Sequence, residues 1–176
     1  IKETDYPKKV GLVLAGNIPA VGFNDVLCVF VRGNISLIKD SDKDKRIIPH
    51  LLEKVIEKYP QFKNYFVDVE MLKDFDAVIA TGSDNSARYF NAYFGKYPNI
   101  IRKNRNSIAV LNGTETKEDI LSLGKDIFSY FGLGCRNVSK IFIPTDYDID
   151  FLLEHLQDYK EIVQHNKYMN NFDYTN

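Results

Sequence analysis

The sequence predicts an α/β fold built around a parallel sheet, and three observations lead there. Short apolar runs recur along the chain, among them Val10-Gly11-Leu12-Val13-Leu14 and Ala77-Val78-Ile79-Ala80. They are apolar throughout rather than alternating, as strands covered on both faces are. Amphipathic stretches of helical length lie between them, so strand and helix alternate along the chain. Three of the runs end in glycine or short polar residues, where a strand gives way to a turn. Together these describe a three-layer arrangement, with helices on both faces of the sheet.

Taken in order, residues 10–14 form the first buried strand. Residues 21–31 read as a helix apolar on most sides, with Pro19 at its start and Cys28 inside Val26-Leu27-Cys28-Val29-Phe30 as a packing thiol. Ile35-Ser36-Leu37-Ile38 is a second strand. Over 47–59 the apolar residues fall at 47, 48, 51, 52, 55 and 56, the stripe of a helix with one buried face. Tyr65-Phe66-Val67 and 77–80 are further strands, and 83–94 is a helix. A strand at 108–111, a helix over 117–131, a strand at 140–143 and a helix over 149–163 complete the pattern. A polar cluster at 104–107 marks the expected boundary between two units, 1–103 and 104–176.

Composition narrows the function classes. The chain has 176 residues, and its 23 basic and 24 acidic side chains leave a net charge of −1. That balance argues against a broad surface for nucleic acid or anionic membrane. No apolar run reaches the roughly 20 residues of a membrane-crossing helix. Two cysteines in unlike contexts do not make a disulfide framework, which points to a reducing cytoplasm. Lys2, Glu3 and Asp5 interrupt the first residues, against a secretory signal. A start at Ile1 and a polar end over 170–176 suggest a piece of a longer protein.

The candidate chemistry gathers at strand ends. Cys135 lies in Gly132-Leu133-Gly134-Cys135-Arg136-Asn137-Val138-Ser139-Lys140, between a helical pattern and a strand. Glycines there leave the thiol uncovered, and Arg136 and Lys140 are nearby cations of the kind that favour a nucleophilic thiolate. From these residues alone, an inert loop cysteine is an equal alternative. The first strand runs into Gly16-Asn17-Ile18-Pro19, so Asn17 is placed to offer an amide to a ligand in the crevice, or simply to make the turn. The second strand ends in Lys39-Asp40-Ser41-Asp42, which could meet a ribose or could be a solvated charge run. The fourth ends in Thr81-Gly82-Ser83, a helix start suited to phosphate and equally to an N-cap. His50, His155 and His165 show no spacing that suggests a metal site, and we expect none.

These pieces, in this order, resemble the aldehyde dehydrogenase superfamily, and within it the long-chain acyl-CoA reductases of the LuxC type. Gly16-Asn17-Ile18-Pro19 resembles the family's Gly-Asn-x-Pro, and the strand ending in Ile38-Lys39 its Ile-Lys strand. Ala80-Thr81-Gly82-Ser83 resembles its Thr-Gly-Ser turn, and Cys135 with Ser139-Lys140 its nucleophile segment. The resemblance covers residues 10–143. It implies a Rossmann-like, nicotinamide-dinucleotide-binding unit at 1–103 and the first part of a catalytic unit at 104–176.

By the same resemblance Cys135 attacks a thioester carbonyl, and Asn17 with the Cys135 backbone N–H forms the oxyanion hole. Lys39 holds the adenosine ribose with Ser41 or Asp42 beside it, and Gly82-Ser83 meets the pyrophosphate. The family that oxidises aldehydes carries a glutamate within Glu-Leu-Gly-Gly. The corresponding stretch here, 100–106, is Ile-Ile-Arg-Lys-Asn-Arg-Asn, with no carboxylate to activate water. The expectation is therefore NADPH-dependent reduction of a fatty acyl-CoA, or acyl-protein thioester, to the aldehyde. NADH is the alternative cofactor, because Asp42 beside the ribose would repel a 2′-phosphate. Oxidative aldehyde dehydrogenase activity and a non-catalytic nucleotide-binding module stay open as other functions, and a homo-oligomer is expected of the full-length protein.

Overall fold

The computed structural model describes residues 6–103 and 105–166. The residues read as signs of chain start and end (Lys2, Glu3, Asp5 and 170–176), and Asn104 at the expected boundary, lie outside them. The chain forms two compact units, Ile1–Asn104 and Arg105–Asn176.

The first unit holds a five-stranded sheet: β1 (Lys9–Val13), β2 (Ile35–Lys39), β3 (Phe66–Asp68), β4 (Ala77–Thr81) and β5 (Asn99–Arg102). Their order is β3-β2-β1-β4-β5, and every neighbouring pair is parallel. All five carboxyl ends therefore meet one edge. The chain winds outward from β1 to β3, then returns to β1's other side for β4 and β5. The switch between β1 and β4 is where such sheets open a ligand crevice.

Three helices cover the sheet: α1 (Phe23–Val31), α2 (Ile47–Lys58) and α3 (Asp84–Phe94). Val10, Leu12 and Leu14 pack with Val26 and Val29 of α1 and with Ile48 and Leu52 of α2. Ile79, paired with Leu12, joins that face, while Val78 and Ala80 point to the other and are fully buried. A right-handed crossover from β4 to β5 carries α3 over this second face, which gives the three layers.

Several elements depart from the sequence pattern. Helix α1 begins at Phe23, because Ala20 is left-handed (φ 55°) and the Phe23 N–H donates to the Ala20 carbonyl at 3.0 Å. Pro19 thus belongs to a turn. Helix α1 buries Asp25, Val26, Val29 and Phe30 but leaves Leu27, Cys28 and Val31 exposed. Cys28 is not a packing thiol; the helix is apolar on most sides, yet only one side meets the core. Strand β5 is an additional element, pairing with β4 from Val78↔Asn99 to Thr81↔Arg102.

The second unit pairs β6 (Ser107–Val110) with β7 (Val138–Phe142), again parallel. Helix α4 (Lys117–Phe128) joins them, and α5 (Ile149–Leu156) follows. Leu111, Ile120, Leu123 and Leu152 form the core, with Ala109, Ile141 and Phe151 against it. A reciprocal capping box starts α4. Asp119 N–H donates to Thr116 Oγ1 at 3.3 Å, and Thr116 N–H donates to Asp119 Oδ2 at 2.9 Å. Helix α4 ends at Phe128, three residues early, since Tyr130, Phe131 and Gly132 are all left-handed (φ 53°, 56° and 68°). Helix α5 ends at Leu156 and continues as a 3-10 segment, Gln157–Gln164. No helix among the described residues is long and apolar enough to cross a membrane.

Candidate functional site

At the carboxyl edge of the first unit's sheet, the loops after β1 and β2 interlock. A Cβ on Gly16 would stand 2.4 Å from Ser41 Oγ, so only glycine lets the two loops approach this closely. Asp44 Oδ2 accepts from the Ala20 N–H at 2.8 Å, tying the far end of the Asn17 loop to the β2 side. Asp44 also meets Ser41 in an isolated antiparallel bridge. Asn17 is exposed at this edge. Asp44 escaped the sequence reading. Its only signal was an acidic residue just before a helix, indistinguishable there from a solvated charge.

Lys39 ends β2 in register with Val13, and Val13 is in register with Ala80. The fold therefore brings the Asn17 loop, Lys39, Ser41 and Gly82-Ser83 to one edge of one sheet. Lys39 Nζ donates to the Glu70 carbonyl at 2.8 Å, which also anchors the segment leading to β4. Asp42 is exposed and pairs with Lys45 at 2.6 Å. The hydrogen bond and charge of Lys45 hold its carboxyl below the ordinary value. Its neighbour Asp40 is drawn inward. Oδ1 is buried with no hydrogen-bond partner among the described residues, and burial, then the nearby charges of Asp68 and Asp44, push its pKa up.

Ser83 is the N-cap of α3, its Oγ accepting from the Ser86 N–H at 3.2 Å. Asp84 adds a carboxylate in the first turn that complements the helix dipole from within the chain. A Cβ on Gly82 would lie 2.8 Å from Ser86 Cβ and 2.9 Å from the Phe90 ring, so this glycine makes room for α3 itself. An amine, hydroxyls and helix-terminal N–H groups on one edge suit the ribose and pyrophosphate of a dinucleotide. Next to them, β5 ends in Arg102, whose guanidinium bonds Asp25 Oδ2 at 2.5 Å. Asp25 is 8% exposed, so this carboxylate is held by the strand-end arginine.

The second unit presents Cys135 as an exposed free thiol on the turn between Gly132 and β7. Of the two cations near it in sequence, Lys140 lies with its Nζ 4.8 Å from the Phe142 ring centre. Asn137, two residues beyond the thiol, is 7% exposed and makes four side-chain hydrogen bonds. The sequence reading passed over it, because a single polar residue before a strand looks like any loop residue. His155 Nδ1 lies 2.8 Å from the Phe151 carbonyl oxygen, and His165 stacks on Phe131. No group of three or more potential metal ligands exists among the described residues.

Comparison with known proteins bears on both units. No protein-family profile matches the chain. It is 27% identical, over 98% of its own length, to long-chain acyl-protein thioester reductase 2 of Photobacterium leiognathi, and spans 40% of that protein. An aldehyde dehydrogenase from Bartonella henselae superposes on 87% of the chain with a TM-score of 0.73 at 12% identity. Propionaldehyde dehydrogenase from Rhodopseudomonas palustris, solved with propionyl-CoA, superposes on 87% with a TM-score of 0.68 at 14% identity. The chain covers 35% and 37% of these two structures. It thus has the aldehyde dehydrogenase fold over about a third of that fold's length, and its sequence resembles the LuxC-type long-chain acyl-protein thioester reductases.

Proposed function

We propose that this chain carries the nucleotide-binding and nucleophile segments of a reductase that converts a fatty acyl thioester, acyl-CoA or acyl-protein, to the aldehyde. The observation that carries the proposal is Cys135. It is an exposed thiol at the helix-to-strand turn of a chain that resembles a long-chain acyl-protein thioester reductase.

In the proposed reaction the Cys135 thiolate adds to the thioester carbonyl carbon. The resulting oxyanion accepts a hydrogen bond from the Cys135 backbone N–H, the family resemblance implies the Asn17 amide as a second donor, and one such donor contributes about 2.7–4 kcal/mol to lowering a barrier. Collapse breaks the bond to the departing thiolate, and the acyl group remains on Cys135 as a thioester. A bound reduced nicotinamide supplies the hydride. The second oxyanion collapses, releasing aldehyde and returning Cys135 as the thiolate.

Lys39, Ser41 and Ser83 are the residues that would hold the dinucleotide, with the backbone at Gly82. The pairing of Asp42 with Lys45 supports NADPH, because the lysine charge offsets part of the carboxylate's repulsion of a 2′-phosphate. The engagement of Asp25 by Arg102, together with the absence of a carboxylate over 100–106, supports the reductive direction.

The test is to supply the full-length protein with acyl-CoA and NADPH and follow nucleotide oxidation. Activity is expected from the wild type, with Cys135→Ser reducing it to background and NADH at equal concentration giving the slower rate. Wild-type turnover by Cys135→Ser would remove the nucleophile assignment.

A further inference from the structure

The Cys135 thiol is exposed rather than held in a packed core. What holds the segment is backbone geometry, and that geometry centres on Asn137. Its side-chain oxygen accepts from the Gly134 N–H at 2.8 Å. Its own backbone N–H donates to the Gly134 carbonyl at 3.1 Å. Gly134 and Asn137 are thus joined twice, with only Cys135 and Arg136 between them. The Asn137 amide nitrogen, with its two hydrogens, reaches the carbonyls of Asp126 (2.9 Å), Ile127 (3.2 Å) and Ser129 (2.8 Å), one N–H being shared, which caps the end of α4. Its backbone carbonyl accepts from the Ser107 N–H at 3.0 Å, fastening the same residue to β6.

A helix cap alone would need only the three carbonyl contacts. The bond to Gly134 is an addition, and the neighbouring residue type accommodates it. A Cβ at position 134 would stand 2.5 Å from Asn137 Oδ1, so glycine there clears the space that the amide oxygen occupies. Just upstream, the left-handed Tyr130, Phe131 and Gly132 bring the chain sharply off α4. Such a run persists only where its surroundings over-determine it, and the Asn137 amide bonds on both sides of it, to Ser129 and to Gly134.

Resting on Cys135 as the acyl acceptor, we propose that Asn137 is the positioning residue for that thiol: a buried amide that clamps the Gly134–Asn137 loop to α4 and β6, and so sets the direction of the Cys135 backbone N–H and side chain. It touches no substrate and acts through the loop. A displacement of about 1 Å at a reacting group can cost 10²-fold in rate, which is the scale on which a lost clamp should register.

The experiment uses the full chain with Asn137→Ala, and Gly134→Ala as a second variant that displaces the amide without deleting it. Hydrogen exchange over 133–137 is expected to quicken about tenfold or more in both, with the α4 segment around Ile120 unchanged. The rate constant of the single-turnover burst of CoA release should fall about 10- to 100-fold, with the amplitude per folded chain and the KM for acyl-CoA held. Unchanged exchange over 133–137 overturns the clamp. A reduced amplitude with a wild-type rate constant overturns the positioning role, leaving Asn137 as support for the fold alone. If the wild type itself shows no burst that Cys135→Ser abolishes, the proposed reaction has failed. The exchange rates then decide the clamp alone, quickened for it and unchanged against it.

Discussion

At Asp40 the first unit keeps a carboxylate in a place that favours its neutral form. Burial and the charges of Asp68 and Asp44 raise its pKa above the ordinary 3.8, so the ionised group costs stability in the folded state. The cost is absent below the unfolded value and complete above the raised folded value. Asp40→Asn should therefore raise the melting temperature at pH 7, and the gain should vanish as pH falls below about 4. Thermal melts of both proteins across that range check the sign. Asp40 also shows what single residues conceal in a sequence. Within Lys39-Asp40-Ser41-Asp42, the two acids look alike. The fold turns one inward, against Asp68 of β3, and sends the other out to Lys45. The two cysteines mislead in a related way. Cys135 was legible as an uncovered thiol because glycines flank it, whereas Cys28 reads as buried because its neighbours are apolar, and it is not. Asn137 was illegible because its partners are carbonyls of α4, set by a tertiary turn rather than by the side chains near it in sequence.

In the first unit, β1 and β4 read clearly as elements from their four or five apolar residues in a row, since central strands of a parallel sheet meet apolar layers on both faces. Strand β5 escaped because an edge strand needs less. Only Ile100 and Ile101 are apolar in it, and it ends in a charge. The end of α4 was overrun because Phe128 and Phe131 keep the helical spacing, while the left-handed residues that break the helix carry no glycine until Gly132. The charged end of β5 has its own consequence. Arg102 and Asp25 join the strand to α1, and removing the arginine leaves a nearly buried carboxylate with its strongest partner gone. Arg102→Met should cost about 2 kcal/mol of stability, short of the 3–5 kcal/mol of a fully buried pair because the arginine is itself part exposed. Arg102→Met combined with Asp25→Leu should recover most of that loss, and urea titrations of the single and double variants measure both.

At the scale of the whole chain, the proposed labour is divided between the units. Lys39, Ser41 and Ser83 lie in the first and Cys135 in the second. Lys39→Ala should therefore raise the KM for NADPH about tenfold, the scale of one lost charged hydrogen bond, while the CoA burst, which needs no nucleotide, keeps its rate constant. Stopped-flow traces with and without nucleotide separate the two. Loss of the burst in Lys39→Ala would tie Lys39 to the acyl step instead. The exposure of Cys28 gives this division a practical use. The chain has two cysteines, both are exposed, and each belongs to a different unit. Spin labels attached to the native thiols would report one inter-unit distance distribution without any engineered site. Acylation of Cys135 before labelling would block its thiol, and the missing label would give the same spectrum an occupancy signal.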